Sequence, residues 1–555
     1  MHRRTIRILV LLCALSIAAA ACGSSGGGGT TTVKKGGTIT VGAEQWASCL
    51  NPINQCANAS WLHWTVLQYV LPKLMYLDQK NNFKPSALLT EAPTTLNGGI
   101  ATNPFKLTFN LNPAAVWNDK SPITCDDVNF TWQAYLHTTG TISTVGYDQI
   151  KSIDCSNKQK VVITFKKVFA DWADLLGGNS AYILKKAAFP GGPNVGNAMK
   201  TTIPFSGGPW ILKSWDKNSD SLIRNDNYWD AAGKPILDQV NFKPLADQDT
   251  EIAQLKTGEV VAIYPQPSPG FSKKLATPNI KVTTGAGQTI EGFWFNLKQK
   301  PLDDLKVRQA FSYGVDRQAL IDTVIKPDDP NAKVLNCEGT WVEGSPWCND
   351  GFADVSYQPD KAKQILQSDG YTLGADGYFT KGGKTLDLEF NTVQGNHRRE
   401  AYQQLVIAEE KKAGIKLHVK NYDKTTLFDT VIPHLHHTVA IYAQTASSDP
   451  SVTSIFACDQ IPSAANQYAG QNDDAWCNQQ ASTLEATSDA QADPTARAAT
   501  FKQIGALIRQ DQPWLPLIQL GLIVAWRTDK VAGPVDDYVS GAFSAYYNIN
   551  KWHLV

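Results

Sequence analysis

Residues 117–132 read "WNDKSPITCDDVNFTW", and the reading of this stretch decides the fold. A polar turn of Asn, Asp, Lys, Ser and Pro separates a strand-like run from an apolar helical run. Asp126 and Asp127 stand side by side at the junction. A catalytic carboxylate pair, a metal site and a piece of scaffold would all look like this. Local pattern favours scaffold. Thr124 is placed as an N-cap with Asp127 three residues on, a capping-box arrangement. Both carboxylates fall in the first helical turn, where the helix dipole favours negative charge.

Working outward, the first residues set the compartment. Arg3, Arg4 and Arg7 precede the apolar run Ile8 to Ala21, which ends in small residues before Cys22. That is a secretory signal pattern, shorter than the roughly 18 apolar residues a spanning helix needs. "GSSGGGGTTT", 23–32, reads as a flexible linker by composition. The three features together resemble a bacterial lipoprotein processing site with Cys22 as the lipid attachment, although Ala19 stands where lipoproteins usually carry Leu. The expectation is a signal over 1–21, an anchor and linker over 22–35, and a mature chain held at the outer face of the cytoplasmic membrane or free in the periplasm.

Acidic and basic residues number 51 each. Removing 1–21 takes three arginines and no acid, so the mature chain is slightly acidic, and no basic stripe argues for nucleic acid. Beyond Cys13 and Cys22, the remaining cysteines are Cys49, Cys56, Cys125, Cys155, Cys337, Cys348, Cys458 and Cys477. An even set in an exported chain reads as disulfides. Clustering favours the pairs 49–56, 125–155, 337–348 and 458–477, with connectivity left open by sequence alone. No CxxC spacing supports zinc. Sixteen tryptophans need a core or a ligand to cover them, and the length implies more than one domain.

Along the chain, "KKGGTITVGAEQ" alternates as a first strand, and "ASWLHWTVLQYVLPKLMYLD" reads as a helix capped by Ser60 and disturbed by Pro72. "KVVITFKK" is a strand, and the run 206–230 is two strands joined by a polar turn. Residues 237–267 read as strand, helix, strand. Residues 302–324 form an amphipathic helical region, and 357–371 a short helix ending at Asp-Gly. A helix closed by Gly414 leads into "IKLHVKN". Strands alternating with helices mean α/β with βαβ units.

Five blocks in one order carry a resemblance. They are "LTFNLNPAAVWNDKSPITCDDVNFTWQAYL" (107–136), "SGGPWILKSWDKNSDSLIRNDNYW" (206–229), "LKTGEVVAIY" (255–264), "FNLKQKPLDDLKVRQAFSYGVDRQALI" (295–321) and "AGIKLHVKN" (413–421). Together they resemble the family 5 extracellular solute-binding proteins of bacterial ABC importers, the peptide/nickel and oligopeptide-binding group. Lys120 stands where that family usually has Gly, and Cys125 where it has Ala. The resemblance implies an α/β, two-lobed periplasmic-binding-protein fold with an extra domain, type II and cluster C-like, with the ligand cleft between the lobes. It maps lobe one to 36–80, 205–297 and 516–555, the extra domain to 81–204 and lobe two to 298–515. It implies a non-catalytic, monomeric receptor without cofactor. Closed on its solute, the receptor would dock on an ABC permease driven by a cytoplasmic ATPase.

Enzyme motifs are absent beyond the linker: GxSxG is matched only by "GSSGG", 23–27, through its Gly/Ser composition, and HExxH does not occur. A secreted hydrolase using Asp126 and Asp127 or the histidines is the rival of a different class. "YFTKGGKT" ends like a phosphate loop, but Tyr378 occupies the place of the first Gly, and the run reads as a hairpin turn. "HLHH" would put His434 and His436 on one face of a strand, a weak metal signal. Asp303, Asp304, Arg308, Asp316 and Arg317 read as lobe-two scaffold, with Arg308 and Asp316 in ion pairs.

The most discriminating stretch is "AIYAQTASSDPSVTSIF", 440–456. Peptide-binding relatives carry here an aromatic and then an Asp that holds the ligand's α-amino group. Alignment on Asp449-Pro450 puts Ala443 and Ala446 at those places. An ammonium buried without a counter-charge is costly, so the expected ligand is a largely uncharged solute of oligopeptide or oligosaccharide size, with metal chelates less favoured. Asp449 is the substitute candidate. Trp46, Asn58, Trp61, Trp294, Asn296, Tyr442 and Gln444 complete the expected ligand-binding set.

Overall fold

A ten-stranded mixed sheet runs through the computed structural model and carries two lobes. The structure describes residues 33–54, 56, 60–80, 82–178, 181–446, 451–537 and 546–555. The expected signal, Cys22, Asn58 and Asp449 lie outside these residues, as does the side chain of Ser60. Among the described residues, no helix is long and apolar enough to cross a membrane.

In spatial order the strands are Lys416–Val419, Asp387–Asn391, Val439–Thr445, Ile280–Phe295, Trp514–Arg527, Ala262–Ile263, Thr38–Ala43, Gln239–Pro244, Asp220–Arg224 and Trp210–Trp215. Two of these decide the architecture. Ile280–Phe295 has 16 residues and Trp514–Arg527 has 14. "WLPLIQLGLIVAWR" is almost continuously apolar, the pattern of a strand covered on both faces. The two pair antiparallel, and each half of the pair belongs to a different lobe. Ile280–Gly285 lies against Leu522–Arg527, and that end continues through Ala262–Ile263 to Thr38–Ala43. Thr289–Phe295 lies against Trp514–Leu520 and continues into Val439–Thr445.

Between the halves the register slips. Gly285 faces Leu522 and Thr289 faces Leu520, so three residues, Ala286 to Gln288, oppose Gly521. Such a bulge bends a strand and sharpens its twist. Only glycine fits at its centre, because a Cβ on Gly287 would lie 2.2 Å from the Leu520 carbonyl oxygen.

Alternation along the pair then feeds two cores. Phe293, Phe295, Leu515 and Leu517 pack with Phe311, Phe390 and Tyr402 on one face, while Trp294 and Trp514 pack with Tyr442, Phe456 and Phe501 on the other. The remaining lobe has its own core around Ile39, Val41, Trp61, Phe242 and Trp552. That core is continuous with a four-stranded antiparallel sheet of Ile100–Thr102, Phe105–Asn110, Lys160–Phe165 and Ile150–Asp154.

The structure answers the question posed by residues 117–132. Helix Cys125–His137 begins with a capping box, in which the Thr124 N–H donates to Asp127 at 2.9 Å. Asp127 also accepts from the Lys186 N–H at 2.9 Å and the Trp117 indole at 3.4 Å. Asp126 pairs with Lys158. Neither carboxylate is free for chemistry.

Cys125 is joined to Cys155, and the other bonds are Cys49–Cys56, Cys337–Cys348 and Cys458–Cys477, the pairs that clustering favoured. "YFTKGGKT" is a hairpin in which Gly382 and Gly383 both have positive φ, as a two-residue turn of this kind requires.

Three expectations need correction. The segment 63–67 is a wide helical turn, and the helix ends at Val70 before Pro72. Residues 432–435 form turns, not a strand, so His434 and His436 share no strand face; the His434 ring lies 3.9 Å from that of Tyr468. Arg308 makes no salt bridge among the described residues: its guanidinium donates to the carbonyls of Gln512, Leu302 and Asp511. Asp316 caps the helix Arg317–Leu320 through the Ala319 N–H. A guanidinium has five donors in a fixed fork, and converging carbonyls at a helix end satisfy it as well as a carboxylate does.

Candidate functional site

A cavity of about 450 Å³ lies where the two long strands cross, walled by both lobes. This is within the range of small-molecule sites, about 300–1,000 Å³.

The first wall is aromatic. The chain leaving strand Thr38–Ala43 supplies Glu44 and Gln45, and the helical turn after it supplies Trp61 and Trp64. Trp64 meets Tyr264 edge-on at 5.1 Å and Trp61 at 5.2 Å. The Trp61 indole N–H donates to Glu44 at 3.2 Å, and the Gln266 amide donates to the same carboxylate at 3.3 Å. Burial raises the Glu44 carboxyl above its ordinary value, against the pull of Arg399, Lys424 and Arg398.

The opposite wall is the end of strand Val439–Thr445 and what flanks it. Tyr442, Ala443, Gln444, Thr445 and Ala446 all line the cavity. Tyr442 is held flat against Trp294 at 5.2 Å, and Trp294 against Trp514 at 4.6 Å. Asp473 reaches the wall beside Tyr442, whose hydroxyl donates to it at 3.5 Å. Burial pushes the Asp473 carboxyl up to about 8, against the hydrogen bond from Tyr442. Arg399, at the start of helix His397–Ala413, and Lys424 also line the cavity.

Hydrogen bonds tie the walls together. The Lys424 ammonium donates to the Trp46 carbonyl at 2.8 Å, and the Ser48 hydroxyl to Asp429 at 2.6 Å. Arg398 donates to Gln266 and to the Pro267 carbonyl. Burial lowers Lys424 to about 8, against the pull of Glu44 and Asp429.

Of the expected ligand-binding residues, the structure brings Trp61, Tyr442 and Gln444 to the cavity. It does not bring Trp294 or Asn296 there. Both are shut in the core, Trp294 donating to the Tyr442 carbonyl and Asn296 to the carbonyls of Leu435 and His437. They act one layer behind the wall, as supports for it. Trp46 is turned away, stacked on Trp215 at 6.3 Å with its N–H on the Asp216 carbonyl. Sequence reasoning missed Trp64, Tyr264, Glu44, Arg399, Lys424 and Asp473. Trp64 follows Trp61 by one helical turn, which was a usable signal; Asp473 sits in a turn with no periodicity.

Among the described residues, one cluster has the donor atoms of a metal site close together, and it is spent otherwise. Cys337, Cys348 and Asp350 bring three donor atoms within 4.8 Å, but the two sulfurs are spent on a disulfide. His437 is buried in the core with its pKa pushed down by desolvation to about 3.

Comparison with known proteins agrees with this geometry. The family described as "Bacterial extracellular solute-binding proteins, family 5 Middle" matches residues 89–460. The chain is 25% identical over 540 residues to the oligopeptide-binding protein AppA of Bacillus subtilis, covering 94% of this chain and 92% of that one. To the dipeptide-binding protein of Escherichia coli it is 26% identical over 470 residues, 78% of this chain and 80% of that one. The solved structure of AppA from Bacillus subtilis with a nonapeptide has the same fold, with a TM-score of 0.81 at 23% identity, covering 94% of this chain and all of that one.

Proposed function

The chain belongs to the bacterial extracellular solute-binding proteins of family 5, a family of receptors and not of enzymes, and from that premise we propose that it captures an oligopeptide-like solute for an ABC importer. The observation that carries the reading is the cavity at the strand crossing, which has one wall from each lobe. A solute held there bridges the lobes, and bridging favours the closed form over the open one. The closed form is what a membrane permease with its ATPase would recognise.

We read lobe one as 36–80, about 205–285 and about 522–555, the extra domain as 81–204 and lobe two as about 289–520, so the expected boundaries at 297 and 516 move to the bulge in the strand crossing. Lipid on Cys22 would keep a monomeric receptor near its permease. The names of the relatives, which bind oligopeptides and dipeptides, support the peptide reading. The rings of Trp61, Trp64 and Tyr264 favour a second reading, an oligosaccharide lying on aromatic faces.

The test is native mass spectrometry of the purified chain, with the bound solute released and identified. A peptide recovered chemically unchanged after long incubation is the expected result. A sugar would favour the second reading, and turnover of a peptide or glycoside would sink the receptor.

A further inference from the structure

Strand Val439–Thr445 ends inside the cavity, and its neighbouring residues point to opposite faces. Ala443 pairs with Glu291, and Glu291 holds Arg398 and Arg399 on that face. Tyr442 points to the other face, where its hydroxyl meets Asp473. Two charged poles therefore reach the same cavity from the two sides of one strand.

The first pole is cationic. Arg398, Arg399 and Lys424 stand against Glu291, Glu44 and Asp429. The open donors of this cluster are at Arg399. Its Nε donates to Glu291, but its two Nη nitrogens make no hydrogen bond among the described residues, and the side chain lines the cavity. A planar fork in that state matches a carboxylate.

The second pole is acidic. Asp473 has only the long contact from Tyr442, and its other oxygen makes no hydrogen bond among the described residues. The neighbouring acid, Asp474, adds to the negative potential and is partly answered by Arg308 behind it. An enclosed carboxyl this poorly paired is stabilised by an arriving cation.

Resting on the receptor reading above, we propose that the cleft takes a dipolar solute, with its anionic group on the Arg399 guanidinium and its cationic group on the Asp473 carboxylate. Asp473 then performs, from the turn beside Tyr442, the counter-charge role that Ala446 lacks. The solute is expected to span the strand end, so its two charges lie on opposite sides of residues 442–443. This replaces the expectation of a largely uncharged ligand.

The test uses mixed peptide pools of about two to six residues, screened by native mass spectrometry and titration calorimetry against the full mature chain. One pool is free, one N-acetylated and one C-amidated. The expected result is binding of the free pool with loss of about tenfold or more for each blocked pool, since about 1.4 kcal/mol corresponds to tenfold. Asp473→Asn should abolish the penalty for acetylation but keep that for amidation. Arg399→Gln should do the reverse, and Arg399→Lys should restore part of the preference for a free carboxylate. Equal binding of all three pools by the unaltered chain overturns the dipolar proposal and leaves the receptor reading standing. Failure of every pool to bind rejects the peptide reading and the proposal with it. The blocked pools act on the unaltered chain, so a misfolded variant does not remove the test.

Discussion

Glu291 accepts two hydrogen bonds from Arg398, at 3.1 and 2.8 Å, and a third from Arg399 at 2.5 Å, with the side chains of Glu291 and Arg398 fully closed to solvent. The acid sits on the long crossing strand and the bases on the first turn of helix His397–Ala413. Arg398 continues to Gln266 and the Pro267 carbonyl, so one buried cluster joins the crossing strand, the helix and the segment after Ala262–Ile263.

Removing one member of such a cluster leaves charge buried without a partner, which costs about 3–5 kcal/mol. Glu291→Gln keeps the shape and removes the charge, so urea unfolding should report a loss of that order. Burial alone would raise the Glu291 carboxyl, but Arg398 and Arg399 outweigh it and hold it down at about 2. A depressed folded pKa gives stability that is present above the ordinary carboxylate value and lost as pH falls from about 4.5 toward 2. That acid-dependent loss should be visibly smaller in Glu291→Gln. An unchanged midpoint at neutral pH would rule out the cluster as a stabilising centre.

The capping box at residues 124–127 predicts a purely structural phenotype. Thr124→Ala should cost about 1 kcal/mol. Asp127→Ala should cost about 1–2 kcal/mol, because it removes the acceptor of the part-buried N–H groups of Thr124 and Lys186. Solute affinity, measured by calorimetry on folded protein, should stay the same in both. A loss of binding without a loss of stability would put Asp127 in a site.

Much of this was legible before any coordinates. The capping box needed only Thr124 and Asp127 at the right spacing, and the hairpin needed only two glycines between the short runs Phe379–Lys381 and Lys384–Thr385. The walls of the cavity were legible where a residue carried a pattern, as Trp61 and Tyr442 do. Trp294 and Asn296 were legible as a segment but not as a side: alternation on a strand buried on both faces gives no sign of which face meets the cavity. Asp473 and Arg399 were hidden for a different reason. Their roles arise from long-range packing, Arg399 on Glu291 more than a hundred positions away, and single-sequence periodicity holds no information about such pairs.

The disulfides differ in how much of the unfolded chain they restrain. Cys125–Cys155 closes a separation of 30 residues and Cys49–Cys56 one of 7. Loop-closure entropy assigns about 3–4 kcal/mol to the first and about 2–3 kcal/mol to the second. Paired Cys→Ser variants should follow that order in thermal unfolding, with the double replacement at 125 and 155 the more damaging. The reverse order would mean that native-state contacts at residues 49–56, and not chain entropy, set the effect.

Asp473 gives the solute-free receptor a pH signature. Its folded pKa is raised by burial to about 8, so its contribution to stability is full below about pH 4 and lost as pH rises through about 8. Tyr442 and Asp474 face it, with Arg308 beyond Asp474. Asp473→Asn removes the titration. The variant should gain on the unaltered chain between pH 5 and 9, by about 1–3 kcal/mol once the access of cavity water is allowed for. His63 and His437 lose protons at much lower pH, about 3 for each, and their effects cancel in the difference. A gap between the two proteins that is flat from pH 5 to 9 would show that Asp473 is ionised in the empty cleft.

The bulge at the strand crossing offers the sharpest mechanical test. A Cβ on Gly287 would stand 2.2 Å from the Leu520 carbonyl, whereas a Cβ on Gly521, directly opposite the bulge, would meet its nearest neighbours at an ordinary 3.5 Å. Two glycines in the same crossing should therefore respond differently to the same added methyl. Gly287→Ala has to push the two long strands apart, which should cost about 2 kcal/mol or more. It should also displace the Gln519 amide, which donates to the Gly287 carbonyl at 2.6 Å. Both walls of the cavity hang on these strands, so the same shift should weaken solute binding as well. Gly521→Ala should change stability by less than about 1 kcal/mol. Its effect on binding should be limited to the methyl that it adds to the cavity wall. Equal effects of the two substitutions would mean that the crossing yields freely and that the bulge does not set the angle between the lobes.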